Sequence, residues 1–425
     1  MRVLVIGGGG REHAIAWRLS RSASVREVAA VPGNPGIARV GRCVEAPAGG
    51  PESLASLAAS MGADVTIPGP EAPLVAGVVD EFRARGLAIV GPTAAAAQLE
   101  GSKIFAKEFM ERAHVPTAGF ARVENEAEAV RAIDRLGCPV VLKADGLAAG
   151  KGVIIANERD EAIRTARALL AGEIVGTAGS RLVIEEYLTG EEVSFIVLTD
   201  GRGVAVLEPT QDHKAVGDGD TGPNTGGMGA YCDSRILTDE QRRVVLDTIV
   251  HPVLDRMRFE GNPFTGFLYA GLMMTPQGPK VLEFNVRLGD PETQAIMHRM
   301  SGDFGEVLAA AARGSLGDAR LEWRDEPSVC VVLSSAGYPG KYKTGAPIHG
   351  LDEAEETGAT VFHAGTRQGA GGVETAGGRV LGVTASGETL ESAIANAYAA
   401  VARISFEGAY YRRDIGRKGL ARWRE

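Results

Sequence analysis

The stretch VLEFNVRLGDPE, residues 281–292, decides how the chain is read. Side chains alternate along a strand, so Glu283, Asn285 and Arg287 share one face and Leu282, Phe284 and Val286 the other. A carboxylate and an amide oxygen in a row can hold Mg²⁺, and the guanidinium beyond them can neutralise a transferring phosphoryl group. The chain then turns at Gly289. Asp290 followed by Pro291 reads as an N-cap with proline at the first helical position. The same residues also fit a half-buried strand with a solvated face and an ordinary cap, so the rest of the chain must decide.

Working outward, 425 residues suggest about three domains. With 44% hydrophobic and 23% charged residues and no apolar run of transmembrane length, the expectation is a soluble globular chain. The amino terminus, MRVLVIGGGG, runs a strand straight into glycines and lacks the apolar core and cleavage site of a secretory signal. Cys43, Cys138, Cys232 and Cys330 are far apart and form no CxxC pair, so reduced thiols and a cytoplasmic location are expected. A net charge of −9 argues against nucleic acid and anionic membrane as partners.

Residues 1–100 alternate strand and helix, with strands expected at 3–7, 26–31, 63–68 and 87–91 and helices at 12–20, 52–61 and 73–85. That pattern predicts a small doubly wound parallel sheet, whose ligands bind at the carboxyl ends of the strands. The loops GGGGREH (7–13), PGNPG (32–36) and PGPE (68–71) sit there. A dinucleotide site fails, because Glu12 stands where the third glycine belongs and no acid ends the second strand. A phosphate against the amides of Gly8, Gly9 and Gly10 at a helix start remains attractive, with His13 and Glu71 within reach of sugar hydroxyls; the alternative is glycines that only permit tight turns.

Lys103 and Lys107, one helical turn apart, read as a solvated face. Residues 121–187 read helix, strand, loop, strand, helix, strand. Lys143 ends an apolar strand and leads into DGLAAGKGVII (145–155). This is not a Walker loop, since three residues separate Gly146 from Gly150, Gly152 follows Lys151, and strands flank it. A hairpin laying its amides over polyphosphate explains it better. In EEYLTGEE (185–192) a hinge can read adenine near Glu186 and Leu188, with Glu192 taking ribose hydroxyls. TQDHKAVGDGDTGPNTGGMGAY (210–231) has six glycines and almost no periodicity and is expected to be a functional loop carrying Asp212, Lys214 and Asn224. From about residue 321 three strands and one amphipathic helix suggest a compact α/β cap domain.

The ordered motifs GGGGREH, PGPEAPLVAG, GSK, KADGLAAGKG, EEYL, QDHK, GPNTGGMGAY and EFNVRLGDPE resemble the phosphoribosylamine–glycine ligase (glycinamide ribonucleotide synthetase) family of ATP-grasp enzymes across essentially the whole chain. The resemblance implies an α/β ATP-grasp fold: a substrate-binding doubly wound domain at 1–100, a catalytic domain at 101–320 with its lid at about 121–187, and an α/β cap at 321–425. It implies ligation of glycine to 5-phosphoribosylamine through a glycyl phosphate in purine biosynthesis, with ATP and Mg²⁺ (or Mn²⁺), small-molecule partners only, and a monomer. The nucleotide residues it implies are Lys103, Lys143, Gly146, Gly150, Lys151, Gly152, Glu185, Glu186, Leu188 and Glu192. Metal ligands are Glu283 and Asn285. The substrate set is Gly8, Gly9, Gly10, His13, Asn34, Glu71 and Asn224, and the catalytic set is Arg287, Asp212, Lys214 and Asp290. Many ATP-grasp enzymes carry a second metal carboxylate on the preceding strand; here that strand reads YAGLMM, so the number of metal ions stays open. The chain ends at Glu425, and no further fused catalytic domain is expected. The rival readings are an enzyme activating bicarbonate as carboxyphosphate, a silent nucleotide-binding regulator and a dehydrogenase.

Overall fold

An apolar run such as VLVIG forms a strand covered on both faces, and Arg2–Gly7 is that strand, with Val3, Leu4 and Val5 buried. It lies between Glu27–Pro32 and Val65–Pro68 in a parallel sheet, with Arg42–Cys43 outside. The structure is a computed structural model and describes residues 1–146, 152–174, 180–317 and 319–424. Gly150 and Lys151 therefore lie outside the described residues. The strand expected at 87–91 contributes a single bridge, Thr66 to Ile89. The helix expected at 73–85 is two, Glu71–Val75 and Val78–Ala84, because Gly77 between them takes φ +88°. Among the described residues no helix is long and apolar enough to cross a membrane.

Phe120–Val123, Leu182–Glu186, Val140–Ala144 and Val153–Ala156 form an antiparallel sheet in that order. The helices Glu126–Leu136 and Arg159–Leu170 pack on it through Ala132, Ile133, Ala162 and Leu169, which gives this unit its own core.

The largest sheet runs Gly278–Asn285, Gly266–Thr275, Glu191–Thr199, Thr210–Asp212, Gly229–Cys232, Ser328–Ser334, Arg379–Ser386, Thr360–His363, with Val204–Val206 paired to Glu191–Thr199. It continues without a break from the ligand strand into the carboxyl-terminal segment. The 210–231 stretch corrects the expectation of a loop. It supplies two strands of this sheet and a separate hairpin, Ala215–Gly217 with Thr221–Asn224, because backbone pairing rather than side-chain pattern holds it.

The alternation read from 281–292 is broken by a bulge. Gly271 pairs with Glu283 but Leu272 with Val281, which leaves Leu282 as the extra residue. Val281 and Phe284 both enter the main core, while Leu282 packs with Ala118, Leu188 and Met273. The following helix, Glu292–Arg299, has Pro291 at its N-cap position rather than Asp290. The Asp290 carboxylate is drawn elsewhere, to Gln294 Nε2 (2.8 Å) and Arg379 Nη2 (3.0 Å).

Buried histidines join the segments. His13 Nδ1 accepts from the His363 backbone N–H (2.8 Å), His213 Nε2 from Gly416 N–H (3.4 Å), and His298 stacks on Trp17 beside the Ser386 hydroxyl. Burial holds His213 down to about 3, His298 and His363 to about 4, and His13 well below 6.5. A depressed histidine contributes stability that is complete above its unfolded value and lost as pH falls toward the folded one. Each of the first three therefore costs about 2 kcal/mol between pH 6.5 and 5. Asp212, pushed up to about 7 by burial, runs the other way and offsets part of the loss. Urea midpoints should fall steeply from pH 7 to 5, and a flat profile would mean these rings are not held neutral.

Candidate active site

The helix Lys103–Arg112 begins at Ser102, whose hydroxyl accepts from Phe105 N–H (3.1 Å) and donates to Asp145 Oδ1 (2.9 Å). Asp145 also receives Ile104 N–H and pairs with Arg181 (2.7 Å), so one carboxylate ties the helix start to the end of the Val140–Ala144 strand. Lys103 Nζ thereby reaches Gly146 O (2.8 Å), and Lys143 Nζ reaches Leu282 O (2.9 Å) and Glu185 Oε1 (3.0 Å). Glu186 N–H donates to Gly119 O, the Glu186 carboxylate accepts from Gly119 N–H (3.2 Å), and the side chain stays exposed. Next to it, Leu188, Ala118 and Met273 form a small buried apolar cluster with Leu282 packed against it. Gly152 pairs its carbonyl with Ala144 N–H at the base of the hairpin.

Glu283 has no hydrogen-bond or ion-pair partner among the described residues, and neither has the Asn285 amide. Burial alone would raise the Glu283 carboxyl, but Lys214, Lys143, Lys103 and Arg287 hold it below the usual range. Two free oxygen ligands on one strand fit a small, hard cation that takes its remaining ligands from phosphates and water. Among the described residues no group of three or more His, Cys, Asp or Glu is arranged to cage a metal. The donor set thus fits a divalent cation that completes its shell from outside the chain.

Arg287 is anchored on two sides. Its Nε donates to Glu71 (3.2 Å), its Nη2 to Glu100 (2.6 Å) and its Nη1 to Leu288 O (3.2 Å). Glu100 also accepts from Val286 N–H (2.7 Å). Burial raises the Glu100 carboxyl, whereas at Glu71 burial is outweighed by Arg287, a backbone N–H and Arg11 acting together, which lower it. Among the described residues, two of the five guanidinium N–H groups have no acceptor. Lys214 pairs with Glu192 (2.9 Å), close to Asp212, Glu283 and Tyr269. Asp212 O accepts from Lys418 Nζ (2.7 Å). Asn224 is exposed at the end of its hairpin. Tyr269 OH donates to Glu292 Oε1 (2.6 Å) below this cluster.

The amino-terminal loops depart from the sequence reading. Gly9 N–H donates to the Glu12 carboxylate (2.5 Å), which is itself paired with Arg11 (2.6 Å), and Gly10 is buried. A carboxylate, not a phosphate, takes the Gly9 amide. His13 is 4% exposed and its Nδ1 is spent on His363, so it is a packing residue. The Asn34 amide is likewise consumed by Gly8 O (2.9 Å), His363 O (2.8 Å) and Ile37 N–H (2.9 Å). Glu71 and Gly8 stay half-exposed at the strand ends.

Sequence reasoning missed Glu100, Asp145, Lys107 and Arg379. Asp145 alone left a signal, its place beside Lys143; the others act through contacts too distant in sequence to read.

Residues 1–100 match the N domain, residues 101–293 the ATP-grasp (A) domain and residues 328–418 the C domain of phosphoribosylglycinamide synthetase. The chain belongs to the phosphoribosylglycinamide synthetase family. Phosphoribosylamine–glycine ligase of Pseudomonas aeruginosa is 51% identical over 427 residues, spanning 100% of this chain and 99% of its own. A crystal structure of phosphoribosylamine–glycine ligase from Thermotoga maritima matches with TM-score 0.85 at 35% identity, over 97% of this chain and 100% of that one. Biotin carboxylase from Campylobacter jejuni, at TM-score 0.71 and 14% identity over 96% and 92% of the two chains, shares the fold alone.

Proposed function

We propose that this enzyme ligates glycine to 5-phosphoribosylamine, giving glycinamide ribonucleotide, ADP and phosphate, in purine biosynthesis. The observation that carries this reading is the end-to-end match to relatives of that name, 51% identical across the full chain. The geometry supports it step by step. Adenine packs against the apolar cluster of Leu188, Ala118, Met273 and Leu282, and the phosphates lie between Lys103, Lys143 and the Glu283 strand. Bound Mg²⁺, held by Glu283 and Asn285, would neutralise charge on the phosphates.

A glycine carboxylate oxygen takes the γ-phosphoryl group and ADP leaves. The amine of phosphoribosylamine then attacks the glycyl carbonyl carbon, phosphate departs, and the surplus amine proton passes to a base. Asp212 is the base candidate, since burial moves its carboxyl up to about 7 and Lys214 stands beside it. Arg287, fixed by Glu71 and Glu100, keeps two N–H groups for the anionic reactants. Glu71 and Gly8, at the carboxyl ends of the parallel strands, remain for the phosphoribosyl group, and Asp290 sits under the turn that leads to the Glu292–Arg299 helix.

The test is ADP release with Mg²⁺-ATP and glycine, with and without phosphoribosylamine generated in situ. Release should require both substrates and yield glycinamide ribonucleotide. Release with bicarbonate in place of glycine would move the enzyme to the carboxyphosphate class.

A further inference from the structure

Lys107 reads from the sequence as a solvated lysine, yet it is 2% exposed. Its Nζ stands 2.9 Å from Glu185 Oε2, donates to Thr117 Oγ1 (2.7 Å) and lies over the Phe120 ring. The other Glu185 oxygen, Oε1, is 3.0 Å from Lys143 Nζ. Glu185 is 2% exposed and Lys143 6% exposed, so two buried cations share one buried carboxylate. The cluster carries one uncancelled positive charge.

A surplus charge away from water is costly unless an anion comes to meet it. Burial accordingly presses Lys107 down to about 8, against the pull of Glu185. Thr117 and Phe120 wall Lys107 in. Lys143 instead reaches the carbonyl of Leu282, whose side chain packs on the Ala118, Leu188 and Met273 cluster. Whatever Lys107 contributes to a ligand must pass through Glu185.

We propose that Lys107 is a positioning residue for nucleotide binding: by occupying one oxygen of Glu185, it leaves the charge of Lys143 free for the phosphates. Without Lys107, Glu185 and Lys143 would cancel each other in a neutral pair, and the phosphate site would keep Lys103 but lose the contribution of Lys143. The inference rests on the nucleotide reading above and adds a residue outside the contact surface.

The experiment compares affinities for MgADP and for adenosine by calorimetry in the full-length enzyme. Lys107→Met should weaken MgADP by about tenfold, the effect of one charge roughly a nanometre away in a partly buried site, and leave adenosine within twofold. The double variant Lys107→Met/Glu185→Gln removes one charge of each sign. It should return the MgADP-to-adenosine ratio to the wild-type value, and it folds without a buried carboxylate to satisfy. An unchanged ratio in Lys107→Met, or a lowered ratio that the double variant fails to restore, would overturn the proposal. Failure of wild-type enzyme to bind MgADP at all would instead overturn the nucleotide reading, and this inference with it.

Discussion

Arg287→Met should lower turnover by about 10³-fold and cost about 3 kcal/mol of stability at the same time. The two losses have separate causes. Glu100 is buried to 7% of its side chain and holds both Arg287 Nη2 and Val286 N–H, so removing the guanidinium strands a carboxylate away from water. Glu71 loses its partner as well, but it is nearly a third exposed and can be hydrated. The expected catalytic loss comes from the two N–H groups that no other described residue uses. Arg287→Lys should not rescue either property, because a single ammonium cannot span Glu71, Glu100 and a substrate together. Adding Glu100→Gln to Arg287→Met should restore most of the stability but none of the turnover. Thermal melts and steady-state rates on the three variants check this. Full turnover in the double variant would reduce Arg287 to a structural joint between the parallel-sheet loops and the ligand strand.

Glu283→Gln should abolish Mg²⁺-dependent turnover, again by about 10³-fold or more, with little change in the thermal midpoint. The carboxylate is half-buried and bonds to no group among the described residues, so an isosteric amide leaves no broken contact behind. What disappears is a negative charge that Lys214, Lys143, Lys103 and Arg287 all face. Free ADP should bind the variant at least as well as wild type, because the phosphates meet fewer negative neighbours. The gain in affinity on adding Mg²⁺ should vanish. Calorimetry with and without the metal reads this directly, and a normal Mg²⁺ response would remove Glu283 from the ligand set.

The parallel sheet and the E-x-N strand were legible because each rests on local pattern: apolar runs bounded by glycines, and polar side chains two apart. The bulge at Leu282 was not, since only pairing with Gly266–Thr275 reveals that Gly271 faces Glu283. His13 and Asn34 were misread for the same kind of reason. Both are claimed by His363, some 330 to 350 residues away in sequence. Asp290 was given to a helix end because its capping signal is local, whereas Arg379, which takes its carboxylate, comes from the carboxyl-terminal strands. Lys107 shows the limit most plainly, as its helix looked amphipathic and nothing nearby in sequence announces Glu185.

The unbroken central sheet also has a consequence for how the chain is made. During synthesis the ligand strand Gly278–Asn285 emerges and can pair with Gly266–Thr275 at once. The Gly229–Cys232 strand cannot finish its pairing, because its second neighbour, Ser328–Ser334, lies about 100 residues further on, and that strand waits in turn for Arg379–Ser386. Until then a nascent chain offers a bare strand edge, the kind of surface on which polypeptides aggregate. Chains cut short before residue 328 keep every proposed metal and nucleotide ligand yet never cover that edge, so they should be found with chaperones or in inclusion bodies rather than as an active fragment.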